Sequence, residues 1–211
     1  MLGAVLVVAP GGTAQTASEM PSEHWSAGVD AGWADPYDDS GWWAQGYAVG
    51  VSGFYSLATT ALVGGRFGVA HWDFIPDGVI DELIPPGGIF ELSKTTGQTE
   101  ILEFGGFARL ERPALLPFKF GVFVQLSAQA DYVKNFARVE VVYSTNVTSN
   151  ILTIYDLNES NWRLGLTAGA GIGRPLTDQS MIEVFPWYRA VVQGGDDIGV
   201  WGISFGWRLR V

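Results

Sequence analysis

Two histidines, His24 and His71, are the only imidazoles in the 211 residues, and there is no cysteine. Acyl transfer and hydrolysis at neutral pH usually recruit a histidine as general base, oriented by an acid and set beside a nucleophile. His71 stands in Ala-His-Trp-Asp, with Asp73 close by but no neighbouring serine, and His24 precedes the first patterned segment. Neither begins a triad, so no catalytic residue is assigned and the chain is not expected to be an enzyme. The acids offer a second chemistry. Asp35, Asp38 and Asp39, then Asp77, Asp81 and Glu82, then Asp196 and Asp197 would supply hard oxygen ligands for Ca²⁺ if their loops met. Their spacing is not that of an EF-hand, and the plainer reading is solvated acidic loops. No metal site and no cofactor are expected.

The third set of charges is distributed differently. Asp30, Arg66, Glu103, Arg109, Glu111, Lys119, Asp131, Arg163, Glu183, Arg189, Arg208 and Arg210 each sit inside a segment that alternates apolar and polar residues. Phe118–Tyr132 is the longest such segment. One face reads Phe118, Phe120, Val122, Val124, Leu126, Ala128, Ala130, Tyr132, and the other Lys119, Gly121, Phe123, Gln125, Ser127, Gln129, Asp131. A period of two marks a β-strand with unlike surroundings on its two faces. Fully extended it covers roughly 50 Å, so a tilted strand crosses a ~30 Å bilayer core and projects beyond it.

The same alternation recurs along the chain. It predicts strands at Trp25–Ala34, about Trp43–Leu57, from the Ala58–Thr60 turn to about Val69, about Thr99–Glu111, Phe118–Tyr132, Trp162–Ile172, about Gln179–Gln193 and Ile198–Val211. Phe74–Gln98 reads as a long connection whose middle, Asp77–Leu83, forms a helical turn or two. Val139–Tyr143 and Ile151–Tyr155 read as extensions of strands five and six above the membrane, around a polar tip at Thr145–Asn150. Longer acidic connections alternate with short turns, and both termini fall on the short-turn side. The expected fold is all-β, an eight-stranded antiparallel up-and-down transmembrane β-barrel.

Charge partition separates this from a soluble barrel with its apolar face inward. The polar faces carry five acids and seven bases, against seventeen acids and five bases elsewhere. Near balance is what an enclosed polar lumen needs, because an unpaired buried charge costs several kcal/mol. Thirteen glycines share that face, from Gly28 to Gly206, and a narrow bore needs small residues opposite long ones. Asp30 on the first strand and Arg208 on the last are expected to pair across the closing seam. The aromatics Trp25, Trp33, Tyr47, Tyr55, Phe118, Tyr132, Trp162, Trp201 and Trp207 fall where membrane-interface girdles belong. The net charge of −10 argues against nucleic acid. Mean hydropathy is +0.17, yet no apolar run is long enough for a membrane helix. Leu2–Ala9 followed by Gly12-Thr13-Ala14 reads as a secretory signal peptide over residues 1–14, although the usual leading basic residues are missing. Residues 15–24 form a tail and 25–211 the barrel.

The whole patterned chain resembles the small eight-stranded outer-membrane proteins of Gram-negative bacteria, of the OmpA-transmembrane-domain, OmpX and opacity-protein type. The last strand, WGISFGWRLRV, is similar to the carboxy-terminal signal read by the barrel-assembly machinery, with Val211 where phenylalanine is usual. The resemblance implies the bacterial outer membrane, with its lipids, lipopolysaccharide and the assembly machinery as partners. It implies a structural or surface-interaction role, with a narrow channel for small or hydrophobic solutes as the alternative. A lipid-A-modifying barrel enzyme is a remoter one, since those families use a histidine with a serine. The sequence does not fix an oligomeric state.

Overall fold

The computed structural model describes residues 25–37, 43–75, 90–116, 120–144, 149–192 and 198–210. Eight antiparallel strands close into one barrel in chain order. They are β1 (Trp25–Tyr37), β2 (Gly46–Ala58), β3 (Ala61–Asp73), β4 (Phe90–Leu116), β5 (Phe120–Ser144), β6 (Ser149–Pro175), β7 (Ser180–Val192) and β8 (Ile198–Arg210). The described residues contain no helix.

Pairing fixes the geometry. Following partners from Ser26 through Phe54, Gly64, Phe107, Ser127, Thr167, Arg189 and Val200 returns to β1 at Pro36, a stagger of ten residues. A staggered closed sheet must tilt its strands, typically by ~35–45°. Five of the strands have 13 residues. At that tilt each rises roughly 30 Å, the thickness of a bilayer core. The outward residues form an apolar band, with Phe104 68% and Leu126 65% exposed. Such exposure would be a fault in water and is the requirement in lipid.

Aromatic pairs edge that band. Trp33 meets Trp201 edge-on at 4.5 Å, Tyr132 meets Trp162 at 5.2 Å and Tyr47 meets His71 at 5.3 Å, all toward the long-loop end. Trp25 meets Tyr55 at 4.9 Å at the short-turn end. Trp207 points outward opposite Val29, nearer that same end. Phe118 lies outside the described residues.

β1 and β3 run a turn's length further than the sequence reading, to Tyr37 and Asp73, and strand four departs from it most. Strand four begins at Phe90, not near Thr99, and continues to Leu116. Phe90–Gln98 has a weak alternation of its own, but β5 supplies partners for it, from Phe90 opposite Tyr143 to Gln98 opposite Phe136. Tertiary pairing here overrides local composition. The Pro113 end survives because pairing skips a stretch between Arg112 and Leu116. β5 and β6 do continue as single strands well past the aromatic girdle. The helical turn expected over Asp77–Leu83, the signal segment, the tail and the tip at 145–148 lie outside the described residues.

Candidate functional site: a filled bore beneath a protruding sheet

Inward side chains from opposite walls meet in the bore. In the middle, Asp30 on β1 contacts Arg66 on β3 at 2.7 Å, Arg66 reaches Glu103 on β4 at 3.0 Å, and Glu103 pairs with Arg189 on β7. Nearer the short-turn end a second group closes on itself. Arg109 donates two hydrogen bonds to Glu183 at 2.8 and 2.6 Å and lies 2.7 Å from Glu111. Arg208 donates to both oxygens of Glu111 at 2.7 and 3.1 Å and approaches Glu183 at 3.3 Å. Each group holds two acids and two arginines, so each is neutral. Paired forks of this kind are the arrangement in which ionised groups tolerate burial.

Small inward residues make room for them. A side chain at Gly50 would strike the Arg66 guanidinium, and one at Gly68 would strike the Glu103 carboxylate. Aromatic rings complete the packing. The Arg109 guanidinium lies 3.4 Å from the Phe123 ring centre, and Arg208 lies 5.2 Å from that of Phe54. Phe54, Leu62 and Phe107 form an apolar cluster at this end.

Asp131 is fully buried, with Glu103 opposite it on one side and Arg163 on the other. Neither of its carboxylate oxygens has a hydrogen-bond partner among the described residues, and Gln129 lies between Thr167 and Arg189. With its amide turned, the Gln129 oxygen accepts from Arg189 at 2.7 and 2.8 Å, the orientation that suits both neighbours. The seam pair expected from sequence does not form. Arg208 is opposite Gly28, and Asp30 is opposite Gly206. The ten-residue stagger carries Asp30 toward Arg66 and leaves Arg208 to reach across to Glu111. Arg210 is exposed at the rim, and Lys119 lies outside the described residues.

An apolar layer fills the bore at the long-loop end, and of its members the strand alternation marks only Phe185 and Trp187 as inward. Ala34, Ala48, Ala70, Trp72, Ile101, Val133, Trp187, Val191 and Val200 pack there, with Trp43, Phe185 and Ile198 against them. Trp187 is anchored by its indole N–H to the Ser204 hydroxyl at 2.9 Å. The signal was present, because inward positions at this end change from glycine and charge to alanine, valine and tryptophan.

Above the girdle β4, β5 and β6 continue as a three-stranded sheet with β5 in the centre. From Tyr132 to Ser144 it extends roughly 40 Å along the strand. One face is apolar: Ala137 and Val139 pack under Phe74, with Trp43, Tyr155 and Leu157 beside them. The Phe74 and Tyr155 rings stack at 6.5 Å, and the Phe74 N–H donates to the Gly97 carbonyl at 3.2 Å. This contact braces the sheet against the barrel rim. The other face is polar. Glu100 opposes Lys134, and Arg138 meets Glu140 at 3.0 Å. Near the far end Ile151 and Leu152 are 67% and 50% exposed.

His71 faces outward between Tyr47 and Glu100, with Asp73 at 3.3 Å. Asp35 accepts from Gln45 at 3.4 Å, while Asp38, Asp39, Asp77, Asp81, Glu82, Asp196, Asp197 and His24 lie outside the described residues. Among the described residues no group of three or more His, Cys, Asp or Glu could hold a metal ion.

No protein-family model matches the sequence, and no curated protein matches it. Solved structures do match in fold. Neisserial surface protein A aligns over 89% of this chain and 97% of its own, with a TM-score of 0.52 and 14% identity. A major outer membrane protein of Thermus thermophilus aligns over 88% and 99%, with a TM-score of 0.50 and 13% identity. The fold is that of the small eight-stranded outer-membrane barrels.

Proposed function

We propose that the chain is a closed outer-membrane barrel that works through its surface, not through its bore. The observation that carries this reading is the inequality of the strands. β4, β5 and β6 have 27, 25 and 27 residues, whereas the other five have the 13 that a bilayer requires. Among the described residues, chain beyond the membrane goes chiefly into one braced sheet with a polar face. Lipopolysaccharide is the nearest partner, because Lys134 stands just past the Tyr132–Trp162 pair, at headgroup level. The last strand is the segment that the assembly machinery would read. A solute channel would need a continuous path past the apolar layer and two neutral charge groups, and this makes it the weaker reading.

Protease shaving of intact cells tests the arrangement. Cleavage is expected within residues 145–150, at the tip between β5 and β6, without permeabilisation. Protection there, with cutting only after the envelope is opened, would put the sheet on the inner side and overturn the surface reading.

A further inference from the structure

We propose that Arg112 and Arg174, on the outer wall at the short-turn end, hold the phosphate of an anionic glycerophospholipid whose acyl chain lies in the groove beside them. The surface reading above enters only in saying which leaflet supplies that lipid. The ten-residue stagger, shared over eight strands, brings both arginines to the level of Trp25, in the short-turn girdle. Both are exposed, on the faces that carry Leu110 and Ile172 toward lipid. Among the described strand residues of the short-turn half, they are the only charged side chains on that outward face.

Arg112 on β4 and Arg174 on β6 flank β5, two strand spacings or roughly 10 Å apart. Between them on β5 stand Val122, opposite both Arg112 and Ile172, and Phe120, whose ring centre lies 5.6 Å from the Arg174 guanidinium. That ring contact turns the guanidinium toward β5 and uses none of its N–H donors. Arg112 lines the mouth of a groove of about 860 Å³, whose walls are Leu110, Val124, Ala170, Ile172, Val184 and Pro186. Ala170 is a short side chain among branched ones. Beside it the pairing of β6 with β7 skips from Gly169 opposite Trp187 to Ile172 opposite Val184, since Pro186 has no N–H to give. Leu110 precedes Arg112, and Ala170 and Ile172 precede Arg174, on the same outward faces. The groove therefore runs from the arginines toward mid-membrane over roughly 10 Å.

Charge and depth together select the occupant. Two guanidiniums with no acid on their face attract an anion, and phosphate is the anion that their forked donors fit. A free phosphate would leave the apolar groove unfilled. A peptide laid in it would carry backbone polar groups into hydrocarbon, where nothing pairs them. A second copy of this chain is disfavoured, because a two-fold contact about the membrane normal would bring the arginines of both copies to one level, side by side. A glycerophospholipid in the leaflet at that end sets its phosphate at the girdle and one chain along the groove, with no polar group left in the apolar layer.

The test uses the full-length protein in nanodiscs of equal parts phosphatidylglycerol and phosphatidylcholine, with bound lipid counted by mass spectrometry of the intact barrel after release. Phosphatidylglycerol is expected to stay on the barrel in preference to phosphatidylcholine. Arg112→Gln should weaken that retention roughly fivefold, and Arg174→Gln likewise, the worth of one basic residue at a membrane surface. Ala170→Trp, which fills the groove and keeps both arginines, should weaken it too. Lys94→Gln with Arg138→Gln, on the protruding sheet, removes as much charge as the two groove changes together and should leave it unchanged. Equal retention of the two lipids, or an equal loss in the Lys94 and Arg138 control, would overturn the proposal. Full retention by Ala170→Trp, or displacement by soluble glycerol phosphate, would mean a phosphate held without a chain and would overturn it as well. So would displacement by lipopolysaccharide, or a lipid-free dimer in the mass spectrum. Cell shaving judges the surface reading separately: cutting only after the envelope is opened would move the site to the other leaflet and leave the nanodisc result standing.

Discussion

Glu183→Ala lowers the stability of the folded barrel by ~3–5 kcal/mol, the loss expected when one member of a buried ionic group is removed. Glu183 is where both arginines of the lower group meet: Arg109 holds it with two hydrogen bonds and Arg208 approaches at 3.3 Å. Their side chains are 3%, 9% and 10% exposed for Arg109, Arg208 and Glu183, so water does not take over the lost contact. The substitution leaves two positive charges against the single Glu111. Unfolding titration in urea, with the protein in lipid bilayers, measures the loss. Combining Glu183→Ala with Arg109→Met should cost less than the sum of the two, because the second change removes the charge that the first left unpaired. Strict additivity would mean that the group does not act as a unit.

The second large effect separates the two faces of one strand. Leu126→Arg should cost ~2–4 kcal/mol in the same titration, the depth-dependent cost of arginine near the middle of the lipid-facing wall. Leu126 is largely exposed and is flanked across strands by Ala108 and Ala168, so no neighbour screens it from lipid. Gln125 points into the bore, and Gln125→Ala should cost far less, since a neighbouring side chain or water can replace one neutral amide. Equal costs would reverse the assignment of inside and outside.

The alternation along Phe118–Tyr132 was enough to place Phe123, Gln125 and Asp131 on one side and Leu126 on the other, because side-chain direction in a strand depends only on parity. Which inward charges share a face was readable for the same reason. Who pairs with whom was not. Glu111 and Arg208 are 97 residues apart in the chain, and their meeting depends on a ten-residue stagger that no single strand records. The start of β4 was hidden for a related reason: Phe90–Gln98 becomes a strand because Phe136–Tyr143 lies alongside. The apolar layer is hard to read from Ala34, Ala48 and Ala70, because parity gives their direction and not their neighbours. Alone these are ordinary positions; on adjacent walls they form the floor for Trp72 and Trp187.

The claim that the bore is closed and the surface does the work is tested most directly by single-channel recording of the purified protein in planar bilayers. Two neutral charge groups and the layer around Trp72 and Trp187 fill an eight-stranded bore about as wide as its side chains. The result expected is a baseline free of steps at ordinary voltages. Steady, well-resolved conductance steps from the unmodified protein would contradict it and make the chain a channel.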